Sequence, residues 1–283
     1  MKIAVMQGRL VPPWNGHFQS FPVGRWRDEF PLAAAAGLDA IEWIYDTVSE
    51  NDNPIGSDEG LAEVRGLCEK CNVAVVSVCA DYFMESPLAR GEAKELEERF
   101  QRLRWLLERC EAAGIQRVVL PFVDNSRIEN KDDEARAVEV LRRALEHAEK
   151  AGVELHLETS LDPQGFRSLL TKLPHPLLKV NYDSGNSSSL GYDPREEVAA
   201  YGDRIGSVHI KDRVRGGGTV PLGTGNADIP LLLTELFRVG YKGDFVMQIA
   251  RGEAGKEAAW IRQNRELVCG YLQTAGFARG AKQ

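Results

Sequence analysis

The sequence has no apolar run near the roughly 20 residues that a membrane-spanning helix needs. It also lacks an excess of basic residues, since 35 Lys and Arg stand against 42 Asp and Glu and the net charge is -7. Nucleic-acid binding needs a basic surface, so this balance disfavours nucleic acid as the main partner. The first residues, Met1-Lys-Ile-Ala-Val, are typical of a strand and show no signal-peptide cleavage pattern. We therefore expect a cytoplasmic protein that binds neither membrane nor nucleic acid.

Two further patterns are missing. The five cysteines are an odd number, and the CxxC of Cys68 and Cys71 has no second pair, so neither a disulfide framework nor a zinc site is expected. The first predicted strand is followed by Gln7-Gly-Arg-Leu-Val-Pro12, which does not match the glycine-rich fingerprint of a dinucleotide-binding sheet. A doubly wound sheet is therefore the less favoured fold.

Short β-branched runs alternate with longer amphipathic stretches eight times along the 283 residues. The predicted strands are 2–7, 40–45, 74–81, 117–123, 154–159, 177–184, 205–212 and 244–250. The predicted helices are 25–37, 57–71, 92–113, 132–151, 162–173, 194–201, 228–239 and 256–275. Eight such units with no linker or low-complexity stretch predict one α/β domain over 1–283, a single (β/α)8 TIM barrel.

The last four predicted strands each end in a side chain that can bind a metal. These residues are Glu158, Asp183, His209 and Gln248. Side chains alternate across a strand, and in all four strands the ligand-type residue falls in the same phase, with apolar neighbours on the other face. Carboxylate, imidazole and amide oxygen together suit a hard or borderline divalent ion. Because functional residues of such barrels lie at the carboxyl ends of the strands, we expect a metal site at that face.

The same segments carry a family resemblance. The chain resembles the xylose isomerase-like barrel superfamily, in particular its sugar and sugar-phosphate isomerase/epimerase branch. The motifs that carry the resemblance are His156-Leu-Glu158-Thr, Tyr182-Asp183-Ser-Gly-Asn186, Val208-His209-Ile-Lys211-Asp212, Pro221-Leu-Gly-Thr-Gly-Asn-Ala-Asp228 and Gly243-Asp-Phe-Val-Met-Gln248. The resemblance covers the whole barrel and is most specific between residues 154 and 250.

The resemblance implies one divalent ion (Mn²⁺, Mg²⁺, Co²⁺ or Zn²⁺) bound by Glu158, Asp183, His209 and a ligand on strand eight. It further implies that a ketose or sugar phosphate is isomerised or epimerised through an enediolate, with Glu158 as a base. A homodimer or homotetramer is usual among similar proteins. The family's second catalytic glutamate is Gln248 here, and an amide cannot act as a base near neutral pH.

This departure leaves several reactions open. Glu158 alone could serve a one-base isomerisation or a dehydration, and a metal-activated water could serve a hydrolase. Another carboxylate could replace the missing base, with Glu253, Glu42 and Asp81 as candidates. A catalytically silent sugar-binding protein is the remaining alternative.

Other residues are predicted to contact the substrate. Asn186 and Lys211 belong to the family motifs, and Arg213 and Arg215 follow them in a glycine-rich loop suited to an anionic group. Three more come from the first half of the chain: Glu42, an acidic residue within a predicted strand, and Arg9 and His17, in or beside the long loop 11–24.

Overall fold

The computed structural model describes residues 1–48 and 50–278, and eight of its strands form a closed parallel barrel. The barrel strands are β1 (Ile3–Met6), β2 (Ala40–Ile44), β3 (Ala74–Cys79), β4 (Arg117–Phe122), β5 (Glu154–Thr159), β6 (Leu178–Asp183), β7 (Ile205–Ile210) and β10 (Asp244–Met247). Neighbours follow chain order around the barrel, and β1 closes it by pairing with both β2 and β10. A separate antiparallel pair, β8 (Asp212–Arg213) and β9 (Thr219–Val220), lies after β7. The predicted (β/α)8 fold is confirmed.

Helices connect the strands around the outside. They are α1 (Glu29–Ala35), α2 (Asp58–Cys71), α3 (Tyr82–Glu85), α4 (Ala93–Ala113), α5 (Lys131–Ala151), α6 (Pro163–Thr171), α7 (Ser184–Leu190), α8 (Pro194–Tyr201), α9 (Ile229–Arg238) and α10 (Glu257–Thr274). Local chemistry sets several of their ends. The side chains of Asp162 and Asp193 accept hydrogen bonds from the first turns of α6 and α8, each of which begins with proline. Helix α5 ends at Gly152, whose φ of 65° is the left-handed conformation that glycine tolerates best.

The predicted boundaries differ from the structure mainly where a strand leads into the mouth of the barrel. The predicted strand 205–212 ends at Ile210, and the chain then turns back through β8 and β9. Asp212 holds this turn because its carboxylate accepts the backbone N–H groups of Gly223, Gly225 and Ala227. The predicted helix 25–37 is shorter, because Trp26–Asp28 form a separate 3-10 turn before α1. Helices α3 and α7 were not predicted.

The strand ends are brought together by barrel closure. Asp183 on β6 lies opposite His209 on β7, and Val246 on β10 lies opposite His209 on its other side. Backbone N–H of Gln248 continues this pairing by donating to the carbonyl of Ile210 at 3.1 Å. Among the described residues, no helix is long and apolar enough to span a membrane.

Candidate metal centre

Three of the four predicted ligands form a compact buried cluster at the carboxyl ends of β5, β6 and β7. Glu158, Asp183 and His209 each offer a ligand atom, and these atoms all lie within 4.8 Å of one another. The three residues are 7%, 3% and 0% exposed. Two carboxylates and an imidazole at this separation, shielded from water, are a donor set that suits a divalent ion.

The two ring nitrogens of His209 have different surroundings. Nε2 lies 2.6 Å from Oε1 of Glu42, which is fully buried and accepts a second hydrogen bond from Ser77. Nδ1 is buried and has no hydrogen-bond partner among the described residues, although it lies 3.2 Å from Glu158 Oε2 and 3.8 Å from Asp183 Oδ2. A carboxylate can only accept, so Glu42 fixes a proton on Nε2, and in the neutral imidazole the Nδ1 lone pair faces the other two carboxylates. This is the arrangement of a metal-binding histidine oriented by a carboxylate.

The charges of the cluster also favour a bound cation. Burial lowers the pKa of His209, but the charge of Glu42 and the nearby carboxylates of Asp183 and Glu158 outweigh burial and raise it well above its ordinary value. For Asp183, burial raises the pKa, and the charges of Lys211 and His209 together lower it below the ordinary range. In the absence of an ion a proton on the imidazole therefore supplies the positive charge that the carboxylates require.

Glu158 is held by two amides. Asn181 Nδ2 donates to its Oε2 at 2.8 Å, and Asn186 Nδ2 donates to its Oε1 at 2.6 Å. Asn186 is presented by α7, which begins where the Asp183 side chain accepts the backbone N–H of Asn186 at 2.8 Å. Asn181 is fixed in turn by Ser207, whose hydroxyl donates to its carbonyl oxygen at 2.6 Å. Both carboxylate oxygens of Glu158 thus have a defined orientation.

Gln248, the fourth predicted ligand, has a different environment. Its Oε1 accepts from Lys211 Nζ at 3.2 Å, and its Nε2 donates to Gln19 Oε1 at 3.0 Å. The same Lys211 Nζ lies 3.2 Å from Asp183 Oδ2 and 3.2 Å from Asn186 Oδ1. Lys211 therefore connects Gln248 to the cluster, and whether Gln248 binds a metal stays a prediction.

A cavity of about 460 Å³ opens above these residues. Five of the predicted site residues line it: Glu158, Asn186, Lys211, Arg213 and Gln248. Its wall also includes Phe18, Gln19, Cys79, Asp81 and Pro121. The volume lies within the range of small-molecule sites, and the wall combines polar groups with apolar surface.

The other predicted substrate contacts lie elsewhere. Glu42 is behind His209, and Arg9 is 2% exposed behind Gln19, to which its Nη2 donates at 3.0 Å. His17 is exposed on the loop after β1, and Arg215 is exposed with its guanidinium over Gly191. None of these four side chains lines the cavity.

Of the three carboxylates considered as a replacement base, one lines the cavity. Asp81 is 7% exposed, and burial raises its pKa to about 6. Glu253 is exposed and pairs with Lys256 at 2.9 Å. Glu42 is buried and its Oε1 lies 2.6 Å from His209 Nε2.

Two residues in contact with the site were missed from the sequence. Asn181 stands two residues before Asp183 on the same strand face, so the alternation that selected Asp183 could have found it. Gln19 lies in the loop after β1, and no periodic pattern marks it.

Comparison with known proteins gives consistent results. The model of a family described as xylose isomerase-like TIM barrel matches residues 30–268. An L-ribulose-5-phosphate 3-epimerase, UlaE of Escherichia coli, is 25% identical over 280 residues, covering 95% of this chain and 98% of its own. The IOLI protein, crystallised with a zinc atom, superposes with a TM-score of 0.79 at 18% identity, covering 99% of this chain and 100% of its own.

A D-allulose 3-epimerase from Methylomonas sp., solved in complex with D-allulose, also superposes. Its TM-score is 0.72 at 17% identity, and the match covers 96% of this chain and 97% of that one. At such identities the likeness to solved structures shows a shared fold.

Proposed function

The chain belongs to the xylose isomerase-like TIM barrel family, and on that premise we propose that it is a divalent-metal-dependent isomerase or epimerase of a ketose or ketose phosphate. The observation that carries the proposal is the buried cluster of Glu158, Asp183 and His209, in which Nδ1 of His209 has no hydrogen-bond partner. The names of the relatives support the substrate class, since UlaE is a sugar-phosphate epimerase and the Methylomonas protein binds a ketose.

The residues present fit a divalent ion, with Glu158, Asp183 and His209 as its ligands and Gln248 Oε1 as a candidate neutral fourth. When bound, the ion would supply a Lewis acid for the carbonyl and hydroxyl oxygens of the sugar. Glu42 keeps the lone pair of His209 Nδ1 available by accepting the Nε2 proton.

Glu158 is the base of the proposed reaction. It lines the cavity, and its carboxylate is kept in place by Asn181 and Asn186. From this position it accepts the proton on the carbon next to the substrate carbonyl and exchanges it with solvent. In an isomerisation it then delivers a proton to the former carbonyl carbon on the same face, whereas an epimerisation takes a proton from solvent on the opposite face. Lys211 and Arg213 line the same cavity and present cationic donors to the oxygens or phosphate of the substrate.

A metal-dependent dehydration is the second candidate, and it is favoured by one observation. Gln248 lies in the cavity wall where the resemblance expects the second carboxylate, and its amide cannot exchange a proton at neutral pH. In a dehydration Glu158 removes one proton and passes it to the neighbouring hydroxyl, which leaves as water while a carbon–carbon double bond forms. This reaction needs no second carboxylate base.

Hydrogen exchange with solvent tests the proposed function. The protein is incubated with Mn²⁺ in D₂O with a panel of ketoses and ketose phosphates, and deuterium next to the carbonyl is followed by NMR. We expect incorporation into at least one substrate, with loss of exchange in Glu158→Gln and retention in the exposed Glu196→Gln. Formation of an unsaturated product with release of water identifies the dehydratase instead.

Two results decide against the proposal. One is a panel without exchange or product while Mn²⁺ is bound at the cluster. The other is a crystal soaked in Mn²⁺ whose anomalous scattering shows no ion at Glu158, Asp183 and His209.

A further inference from the structure

The environment of Gln248 forms a continuous chain of hydrogen bonds across the mouth of the barrel. Asp81 Oδ2 accepts from Gln19 Nε2 at 2.7 Å, and Gln19 Oε1 accepts from Gln248 Nε2 at 3.0 Å. Gln248 Oε1 then accepts from Lys211 Nζ at 3.2 Å. We call the residues Asp81, Gln19 and Gln248 the amide relay.

The direction of every bond in the relay is fixed by groups that can act in only one way. Arg9 Nη2 can only donate and lies 3.0 Å from Gln19, so the atom of Gln19 that faces it must be oxygen. The amide nitrogen of Gln19 then faces Asp81 and donates a hydrogen bond to its carboxylate. Lys211 can also only donate, so Gln248 must turn its oxygen to Lys211 and its nitrogen to Gln19.

The relay rests on a well-anchored loop. Arg9 is 2% exposed, and it donates to the carbonyls of Ile249 at 3.0 Å and Phe18 at 2.8 Å. Arg251 holds the same segment by donating to the carbonyls of Phe18 at 2.9 Å and Val11 at 3.2 Å. These bonds tie the residue before Gln19 to the strand end that carries Gln248, so Gln19 meets Gln248 in a defined position.

A carboxylate at position 248 does not match these surroundings. Glutamate has no N–H to donate to Gln19 Oε1, so two acceptor oxygens would face each other. Rotation of the Gln19 amide would relieve that contact, but it would turn an oxygen toward Asp81 and a nitrogen toward Arg9. Rotation would thus replace one unfavourable contact, at position 248, with two unfavourable contacts, at Asp81 and at Arg9.

We propose that Gln19, held between Asp81 and Arg9, is a positioning residue that directs the Gln248 oxygen toward Lys211 and makes position 248 selective for glutamine over glutamate. The proposal deepens the proposed function, on which it rests only for the identity of the bound ion. It assigns the mouth of this barrel to a reaction with Glu158 as the carboxylate base, because position 248 is built for a neutral side chain.

A double-mutant cycle tests the selectivity. Gln19→Met keeps the length of the side chain but removes the acceptor that would oppose a carboxylate at position 248, so we compare Gln248→Glu in the wild-type and Gln19→Met backgrounds. Two quantities are measured at pH 8: the unfolding equilibrium constant of the metal-free protein in urea, and Mn²⁺ affinity by calorimetry. We expect Gln248→Glu to be better tolerated in the Gln19→Met background by about tenfold or more in the unfolding constant. Additive effects of the two substitutions overturn the proposal.

A charge exchange within the relay provides a rescue. Gln19→Glu alone places two carboxylates together at positions 19 and 81, and we expect the unfolding equilibrium constant of the metal-free protein to rise by about tenfold. Adding Asp81→Asn restores a donor for the new carboxylate at position 19, leaves the net charge of the relay at its wild-type value, and keeps an acceptor opposite Gln248 Nε2. We expect the double variant to recover most of the lost stability. Failure of Asp81→Asn to lower the unfolding constant of Gln19→Glu contradicts the relay.

The two measurements separate this inference from the proposed function. Wild-type protein that binds no Mn²⁺ overturns the metal-dependent function, while the unfolding cycle between positions 19 and 248 still decides the inference. Conversely, normal Mn²⁺ binding with additive unfolding data supports the function and overturns the relay.

Discussion

The mouth of the barrel has two halves with different chemistry. The carboxylate half lies on β5, β6 and β7 and consists of Glu158, Asp183 and His209. The amide half lies where β1, β3 and β10 end and consists of Gln19, Gln248 and their partners Asp81 and Arg9. Lys211 lies between them, since its Nζ is 3.2 Å from both Asp183 Oδ2 and Gln248 Oε1.

The halves differ in how fully their polar atoms are satisfied. In the carboxylate half, Nδ1 of His209 is buried without a hydrogen-bond partner and faces two acceptors. In the amide half, both polar atoms of Gln19 and of Gln248 have partners. A buried ring nitrogen without a partner beside two carboxylates favours a bound cation or a proton, whereas a satisfied network favours a fixed orientation. The proposed proton transfer therefore belongs to the carboxylate half, and the amide half positions side chains.

The largest expected difference between the halves is catalytic. Glu158→Gln keeps the size of the side chain but removes the proposed base, and we expect the exchange rate to fall by about a thousandfold. Gln248→Ala removes an orienting amide and leaves Glu158 in place, so we expect a loss of about tenfold. Rates of deuterium incorporation, measured with Mn²⁺ saturating for both variants, provide the comparison. Equal losses in the two variants would show that the halves share the chemistry.

A carboxylate that supports the amide half should make the stability of the protein depend on pH. Glu29 Oε1 accepts the backbone N–H groups of Gly8 at 2.7 Å and Leu10 at 3.3 Å, on either side of Arg9. Burial raises the pKa of Glu29 from 4.5 to about 8, and these hydrogen bonds offset only part of that effect. The folded protein therefore keeps a proton that the unfolded chain has released.

Because that pKa is raised on folding, the stabilisation by Glu29 is complete below the unfolded pKa and is lost as pH rises toward 8. We expect the free energy of unfolding of the metal-free protein to fall by up to roughly 1.4 kcal/mol per pH unit across this window. Glu29→Gln keeps the acceptor oxygen and should reduce the slope by this contribution, while the exposed Glu59→Gln should leave the slope unchanged. Urea unfolding between pH 5 and 8 measures the slopes, and parallel curves for wild type and Glu29→Gln would contradict the assignment.

A smaller effect on metal affinity is expected from substitution of Glu42, which lies behind His209. Glu42→Gln keeps an acceptor oxygen but removes the negative charge that holds the proton on His209 Nε2, so the tautomer with a free Nδ1 lone pair is held less strongly. We expect the affinity for Mn²⁺ to fall by about 10- to 100-fold, measured by calorimetry. Glu197→Gln is the matched control, because Glu197 is also buried but is bound by Tyr182 and Tyr201 instead. Equal affinities for wild type and Glu42→Gln would show that Glu42 does not contribute to metal binding.

The two halves also differ in what the sequence could predict. Alternation along β5, β6 and β7 is a local pattern, and it is sufficient to place Glu158, Asp183 and His209 on one face. The same periodicity predicted all eight barrel strands to within a few residues. Helix α7 was missed because its seven residues, rich in serine and glycine, have no amphipathic pattern, although Asp183 caps it.

The amide half could not be predicted in the same way. Gln19 and Gln248 are 229 residues apart and meet only because β1 and β10 close the barrel. Arg9 was expected to contact substrate, yet the long loop after β1 folds over its side chain and buries it behind Gln19. Contacts made by irregular loops depend on the folded backbone and leave no periodic signal in the chain.

The smallest expected effect concerns how far the carboxylate half extends toward solvent. Arg213 is half-buried in the cavity wall, and its Nη1 donates to Asn186 Oδ1 at 2.8 Å, whereas Arg215 is exposed outside the cavity. Arg213→Ala should raise KM for a ketose phosphate by about three- to tenfold with little change in kcat, because a charge-assisted hydrogen bond is lost. Arg215→Ala removes the same charge two residues away and should change KM by less than about twofold.

Steady-state kinetics on a phosphorylated and an unphosphorylated ketose separate the possible results. If Arg213 binds the phosphate, its substitution changes KM for the phosphorylated substrate alone. If it acts through Asn186 and Glu158, kcat falls for both substrates, and Arg213 then belongs to the positioning of the base. Equal shifts in Arg213→Ala and Arg215→Ala would mean that the loop contributes only its net charge, and the carboxylate half would then end at Asn186.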